Sequence, residues 1–373
     1  MRALVVERSL ARFAAARVSS RLAPLRLDAT MEEPALPGPG WHRVRPRLAG
    51  ICGSDLATVD GKSSRWFEPI VSFPFVPGHE VVGTLDDGRR VVVEPVLKCA
   101  TRAVRPACDM CAAGRTNLCE RVAFGDLEPG LQTGYCTDTG GGWSEAMVAH
   151  DSQLHLVPED MSDEAAVMVE PAACATHAAA QGPPAQITAV IGAGTLGLLT
   201  VAALRRSATP PGRLVAAAKH PHQRRLVAEL GADEVCRPEE LERVLRRATR
   251  SLAAGRQLTG GVATVFDCVG SAASLAQALR VAAPGGTIVM VGMPGPTLVD
   301  LTPLWQREVN LRGAYAYTRA DFEAAFGLVA AADLGRLVSA RYPLERFHHA
   351  LDHAAAAGRR DSVKVAFAPG KER

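Results

Sequence analysis

Lysine is scarce in this chain of 373 residues, occurring only at Lys62, Lys98, Lys219, Lys364 and Lys371. Arginine therefore carries nearly all the positive charge, a bias that reads as the mark of a GC-rich genome and carries no functional signal. Net charge is small as well: 42 basic against 39 acidic residues leave +3, which points to neither nucleic acid nor an anionic membrane as partner. Low-complexity composition is absent, since 34 Gly and 25 Pro sit beside 47% hydrophobic and 22% charged residues, and this excludes a disordered chain. The start Met1-Arg2-Ala3-Leu4 lacks a long apolar core with a small-residue cleavage site, so a cytoplasmic protein is expected. At roughly 150 residues per domain the length predicts two or three domains. No internal repeat is visible.

One uncharged run needs explaining. Eighteen residues from Ile187 to Leu204 carry no charge, the lower limit for a membrane span. Three glycines interrupt the run, at Gly192, Gly194 and Gly197, and Gly182-Pro183-Pro184 precedes it. Ile187 to Ile191 reads as a short buried strand. Gly192-Ala193-Gly194-Thr195-Leu196-Gly197 then opens an apolar helix that runs to Arg206. A Gly-x-Gly-x-x-Gly between strand and helix lets backbone approach a pyrophosphate at a helix N-terminus, so this segment predicts a dinucleotide site and not a span. Further strands at 214–218, 262–269 and 287–291, with a helix over 274–282, predict a doubly wound parallel sheet. The first 150 residues show short strand-like segments broken by Gly and Pro, predicting a β-rich domain.

At the end of the second strand stands Ala217-Ala218-Lys219-His220, where a carboxylate for the adenosine ribose would ordinarily lie. A cation in place of the acid predicts NADP over NAD, with Lys219, His220 and Arg224 around the 2′-phosphate. Val269, closing the third strand, is a further expected cofactor contact. Arg243, Arg246, Arg247 and Arg250 share one helix face, read as solvated.

The cysteines number nine, an odd count that argues against a disulfide framework. Cys99, Cys108, Cys111 and Cys119 cluster, and Cys108-Asp109-Met110-Cys111 is a Cys-x-x-Cys turn, so four thiolates are expected to saturate one structural zinc in a lobe over 98–120. Arg102, Arg105 and Arg115 are near enough in sequence to offset its net negative charge. Cys136, Cys174, Cys236 and Cys268 read as small packed residues. A second constellation joins a thiol, an imidazole and carboxylates: Gly50-Ile51-Cys52-Gly53-Ser54-Asp55, Pro77-Gly78-His79-Glu80 and Val169-Glu170-Pro171. One sulfur, one nitrogen and one oxygen ligand would leave a zinc with an open fourth position, as catalysis requires.

In this order, GICGSD at 50–55, FPFVPGHEVVG at 73–83, the cysteine lobe, GGWSEAMV at 141–148, VEP at 169–171 with His177 after it, GAGTLG at 192–197, AELGAD at 228–233, PGGTIVMVG at 284–292 and YPLERF at 342–347 resemble the zinc-dependent alcohol dehydrogenases of the medium-chain dehydrogenase/reductase superfamily. The Glu-Pro at 170–171 resembles the polyol, threonine and glucose dehydrogenase branch. The resemblance implies a GroES-like β-rich catalytic domain (1–171) interrupted by a Rossmann domain (172–314) and resumed over 315–373. It implies Cys52 and His79 as ligands of a catalytic zinc, with Glu80 or Glu170 as the third, and Asp55 as the carboxylate orienting His79. It further implies hydride transfer between a small-molecule alcohol or carbonyl substrate and NAD(P), Ser54 taking the first proton, in a homodimer or homotetramer. Trp66, Phe67 and Trp143 are aromatic candidates for the substrate pocket.

Two positions depart from the pattern. Ala57 stands where liver-type relatives continue the proton relay with a histidine, and Arg105 stands where the first lobe cysteine is usual. Cys99 can complete the lobe only if CATRAVRPAC loops back. A zinc-free quinone or enoyl reductase and a non-enzymatic dinucleotide-binding protein are the competing readings. The full set of zinc donors weighs against the first, and an open glycine loop against the second.

Overall fold

The computed structural model describes residues 1–255, 257–292 and 295–370. The chain divides into two compact units, Met1–Glu170 with Asp333–Arg373, and Pro171–Ala332.

The first unit is built on a seven-stranded sheet. Its strands lie in the order Val338–Tyr342, Lys364–Phe367, Trp41–Gly50, Val81–Leu85, Arg90–Val93 and Leu154–Leu156, with Met147–His150 pairing the start of Trp41–Gly50. Apolar β-branched residues dominate the inner strands, and Val81, Val82, Val91, Val92 and Val93 are all buried, as suits strands with both faces covered. Antiparallel pairing of Ala366 with Gly50 and Phe367 with Ala49 joins the C-terminal segment to the N-terminal one. Trp143 is completely buried, its indole edge-on to Phe367 at 5.0 Å and its Nε1 donating to Gly50 O. Gly78, at φ 95°, makes room for this ring: a Cβ there would lie 2.4 Å from Trp143 Cδ1. Trp143 is thus a core residue and not a pocket wall. Trp66 is 81% exposed and Phe67 half-buried.

The second unit carries six parallel strands in the order Glu234–Cys236, Arg213–Ala217, Ile187–Ile191, Val262–Asp267, Ala282–Met290 and Asn310–Gly313. The order reverses beside Ile187–Ile191, the topological switch point at which doubly wound sheets bind ligands. The two outermost strands, Glu234–Cys236 and Asn310–Gly313, are too short and too polar to be read from periodicity. The compact unit runs on to Ala332, past the 314 expected as the end of the nucleotide domain. Helix Arg319–Ala331 packs on helix Thr195–Arg206, and Asp321 Oδ2 accepts from His177 Nδ1 at 2.8 Å, so this stretch stays with the nucleotide unit. Residues 371–373 of the expected C-terminal return lie outside the described residues. Arg243, Arg246, Arg247 and Arg250 are exposed. Among the described residues no helix is long and apolar enough to cross a membrane.

In the cysteine lobe Arg102 is fully buried. Its guanidinium donates to Phe124 O, Leu127 O, Glu128 O and Gly130 O at 2.6–3.3 Å, so its charge is spent on carbonyl oxygens of the loop that closes the lobe. Arg105 and Arg115 are exposed. Replacing Arg102 with Ala would take the guanidinium donors from Phe124 O, Leu127 O and Gly130 O, leave Glu128 O only the Cys136 thiol, and open a cavity, and we expect a loss on the order of 3 kcal/mol or more in urea denaturation. A change below about 0.5 kcal/mol would deny the residue this role.

Candidate metal centres and nucleotide loop

Cys52 precedes helix Gly53–Val59, whose first turn Asp55 stabilises by accepting from Cys52 N–H at 2.9 Å through Oδ2. The other carboxylate oxygen faces His79 Nδ1 at 3.3 Å and accepts from Tyr135 O–H at 3.5 Å. Asp55 therefore positions the backbone of one expected ligand and the ring of another. Burial opposes a charge on His79, but Asp55 and Cys52 outweigh it and raise its pKa well above the ordinary value. Burial pushes the Tyr135 hydroxyl upward, keeping it a neutral donor.

Cys52, His79 and Glu80 offer ligand atoms that all lie within 4.8 Å of one another. Glu170 is buried at the start of helix Val169–Gln181 but lies outside this group, so of the two carboxylates left open by the sequence it is Glu80 that joins the thiol and the imidazole. A soft thiolate, an imidazole and a carboxylate are a donor set that suits zinc. Gly50 makes the carboxylate's position possible: a Cβ there would lie 1.8 Å from Glu80 Oε2. Sequence reasoning overlooked Lys364. Its ammonium, 2% exposed, donates to both Glu80 oxygens at 2.7 and 2.6 Å. Burial lowers its proton affinity, but the neighbouring Glu80 carboxylate more than restores it and holds the lysine above its ordinary value. Lone lysines carry no motif, and only the pairing of Lys364–Phe367 with Trp41–Gly50 brings this one to the site. Ser54 is half-buried on the first turn of Gly53–Val59.

In the lobe, Cys99, Cys108, Cys111 and Cys119 also bring their sulfurs within 4.8 Å of one another, with Cys99 Sγ 3.7 Å from Cys119 Sγ. The segment does loop back. Thr101, Arg102 and Val104 N–H groups bond to Lys98 O and Cys99 O, Ala103 takes a positive φ of 51°, and Cys108 N–H donates to Cys99 Sγ at 3.4 Å. Glu120 and Arg121 N–H groups point at Cys108 and Cys119 sulfurs. Burial pushes the Cys108 thiol up, yet the Glu120 and Cys111 N–H groups prevail and bring it to about 7. Burial raises Cys119 to about 11 and raises Cys111 as well. Four sulfurs within 4.8 Å of one another form a donor set that fits a tetrahedral zinc.

In the second unit the three glycines serve different ends. Gly192, at φ 93°, leaves no room for a Cβ, which would meet Val269 Cγ2 at 2.5 Å, and a Cβ on Gly197 would lie 2.0 Å from Gly192 O. Gly194, the N-cap of helix Thr195–Arg206, faces open space. Turn, close packing and an unobstructed N–H end are what a pyrophosphate needs. Thr195 and Leu196 form the helix's first turn, and Val269 is half exposed beside the loop. Lys219 is exposed. Arg224 folds back to donate to Ala218 O and Lys219 O at 3.2 and 2.9 Å, and the His220 ring stacks near His222. Asp267, unread in the sequence, closes its strand by accepting from Val269 N, Gly270 N and Ser274 Oγ.

Comparison with known proteins agrees with this layout. The alcohol dehydrogenase GroES-like domain matches residues 38–159 and the zinc-binding dehydrogenase domain matches 195–331. Sorbitol dehydrogenase of Arabidopsis thaliana is 31% identical over 303 residues, 76% of either chain. The chain belongs to the zinc-dependent alcohol and polyol dehydrogenases of the medium-chain dehydrogenase/reductase superfamily. L-idonate 5-dehydrogenase of Vitis vinifera is 29% identical over 75% of this chain and 74% of its own. Among solved structures, an alcohol dehydrogenase from Thermus sp. ATN1 superposes with a TM-score of 0.74 at 26% identity, covering 99% of both chains. A zinc-binding dehydrogenase from Sinorhizobium meliloti, bound to NADP, reaches 0.72 at 25% identity over 92% of this chain and 95% of its own.

For this medium-chain dehydrogenase, elemental analysis is expected to find about two zinc ions per chain. Cys99→Ser and Cys52→Ser should each lose one, the first with a lowered melting temperature and the second without. Two zincs retained in Cys99→Ser would remove that residue from the lobe site.

Proposed function

We propose that this enzyme interconverts a secondary alcohol of the polyol or sugar-alcohol class with its carbonyl partner, using NADP in preference to NAD. The reading rests above all on the grouping of Cys52, His79 and Glu80, with names such as sorbitol and L-idonate dehydrogenase among similar proteins lending the substrate class. When bound, zinc supplies Lewis acidity to a substrate oxygen and the dinucleotide supplies the hydride acceptor. The chain's own residues do the rest. Cys52, His79 and Glu80 hold the metal and leave its fourth position for substrate. Asp55 fixes the His79 ring, Lys364 neutralises and restrains Glu80, and Ser54 accepts the hydroxyl proton. Gly192, Gly194, Thr195, Leu196, Gly197 and Val269 cradle the pyrophosphate end of the cofactor. Lys219, His220 and Arg224 receive the 2′-phosphate, supported by the exposed Lys219 and by the missing acid after Arg213–Ala217. The free thiols suit a cytoplasmic location, and the exposed edge strand Asn310–Gly313 suits assembly as a homodimer or homotetramer.

Steady-state kinetics over a panel of polyols with both cofactors tests the proposal. At least a tenfold kcat/KM preference for NADP is expected, and Lys219→Ala with Arg224→Ala should erase it; a wild-type preference for NAD would sink the assignment. Ser54→Ala should lower kcat by roughly a hundredfold or more while leaving the cofactor dissociation constant unchanged. Undiminished turnover would take Ser54 out of the proton path.

A further inference from the structure

The stretch from Arg8 to Leu27 holds five arginines, Arg8, Arg12, Arg17, Arg21 and Arg26, and no acid. It lies ahead of the matched family domains, which begin at 38, so the catalytic layout does not account for it. In the fold it forms helix Leu10–Ala16, a short 3-10 turn at Ser20–Leu22 and strand Leu25–Asp28. Together with the start of helix Phe347–Ala355 these enclose a groove of about 570 Å³, within the range of small-molecule pockets. Apolar Leu22, Leu25, Leu27 and Phe347 line it together with Arg12, Arg21, Arg26 and His348. Arg26 is engaged by Glu7 and Asp28. Among the described residues Arg12 and Arg21 meet no carboxylate, although both are exposed on the same groove. Leu22 is 52% exposed there despite its apolar side chain.

An apolar trough with two unneutralised guanidiniums at its edge is complementary to a molecule with one greasy chain and one anionic head. We propose that this groove is a second binding site, separate from the dehydrogenase machinery, for a monomeric single-chain anionic amphiphile. The chain lies along Leu22, Leu25, Leu27 and Phe347, and a phosphate or carboxylate head is held by Arg12 and Arg21. Guanidinium forks suit either oxyanion.

Calorimetric titration of the full enzyme with decyl phosphate, kept below its micelle concentration, is the test. Saturable binding of one molecule per chain is expected, at least tenfold tighter than decanol or inorganic phosphate. In R12Q/R21Q the affinity should fall at least tenfold, and in Leu22→Ser it should fall as well, while melting temperature and alcohol turnover stay at wild-type values. No saturable heat, equal affinity for decanol, or unchanged affinity in R12Q/R21Q would overturn the proposal. So would capture by anionic phosphatidylglycerol vesicles without monomer binding. None of these results bears on the catalytic reading, which is judged on turnover alone.

Discussion

The antiparallel pairing of Lys364–Phe367 with Trp41–Gly50 is the constraint on which the catalytic unit depends. It closes a sheet whose strands come from opposite ends of the chain, so the unit cannot be complete until both have been made. It also sets the register that delivers Lys364 to Glu80, beneath Gly50 and beside Cys52. Without that ammonium, the buried Glu80 carboxylate would lose the hydrogen bonds that Lys364 donates to both of its oxygens. With it, the carboxylate is both neutralised and aimed. Gly50 belongs to the same arrangement, because a single methyl group there would occupy the carboxylate's place.

Charge management also organises the cysteine lobe, by other means. Cys99, Cys108, Cys111 and Cys119 bring their four sulfurs within 4.8 Å of one another, so the lobe is adapted to a cation. The one buried arginine, Arg102, satisfies carbonyl oxygens and leaves the sulfurs to backbone N–H groups. The lobe has little apolar core of its own, with Val104, Met110 and Val122 only partly buried around the sulfurs. A metal held by the four sulfurs would substitute for the hydrophobic burial that a segment this short cannot achieve.

Legibility varied with how local each cause was. The glycine loop could be read because turn, close packing and helix start all reside within Gly192–Gly197, and the flanking strand and helix fell at Ile187–Ile191 and Thr195–Arg206 as the pattern predicts. The edge strands Glu234–Cys236 and Asn310–Gly313 carry no periodicity, since one or both faces are wet. The nucleotide unit runs on to Ala332, past the expected 314, because helix Arg319–Ala331 is held by contacts with Thr195–Arg206 and His177, remote in sequence. Whether Trp143 lined a pocket or the core was open in the sequence, and its buried place is decided by Gly78 and Phe367, which no local pattern links to it.

The family resemblance implied the split organisation, and from the residues themselves came the two zinc donor sets, the dinucleotide loop and the basic end of the second strand. Each is a short motif whose chemistry follows from residue type and spacing. Tertiary structure alone decided that the Glu80 carboxylate lies grouped with Cys52 and His79, that Cys99 reaches the lobe, and that Lys364 pairs with Glu80. Those outcomes depend on where backbone segments far apart in the chain are brought within a few ångströms, and spacing along a sequence holds no information about approach across a fold.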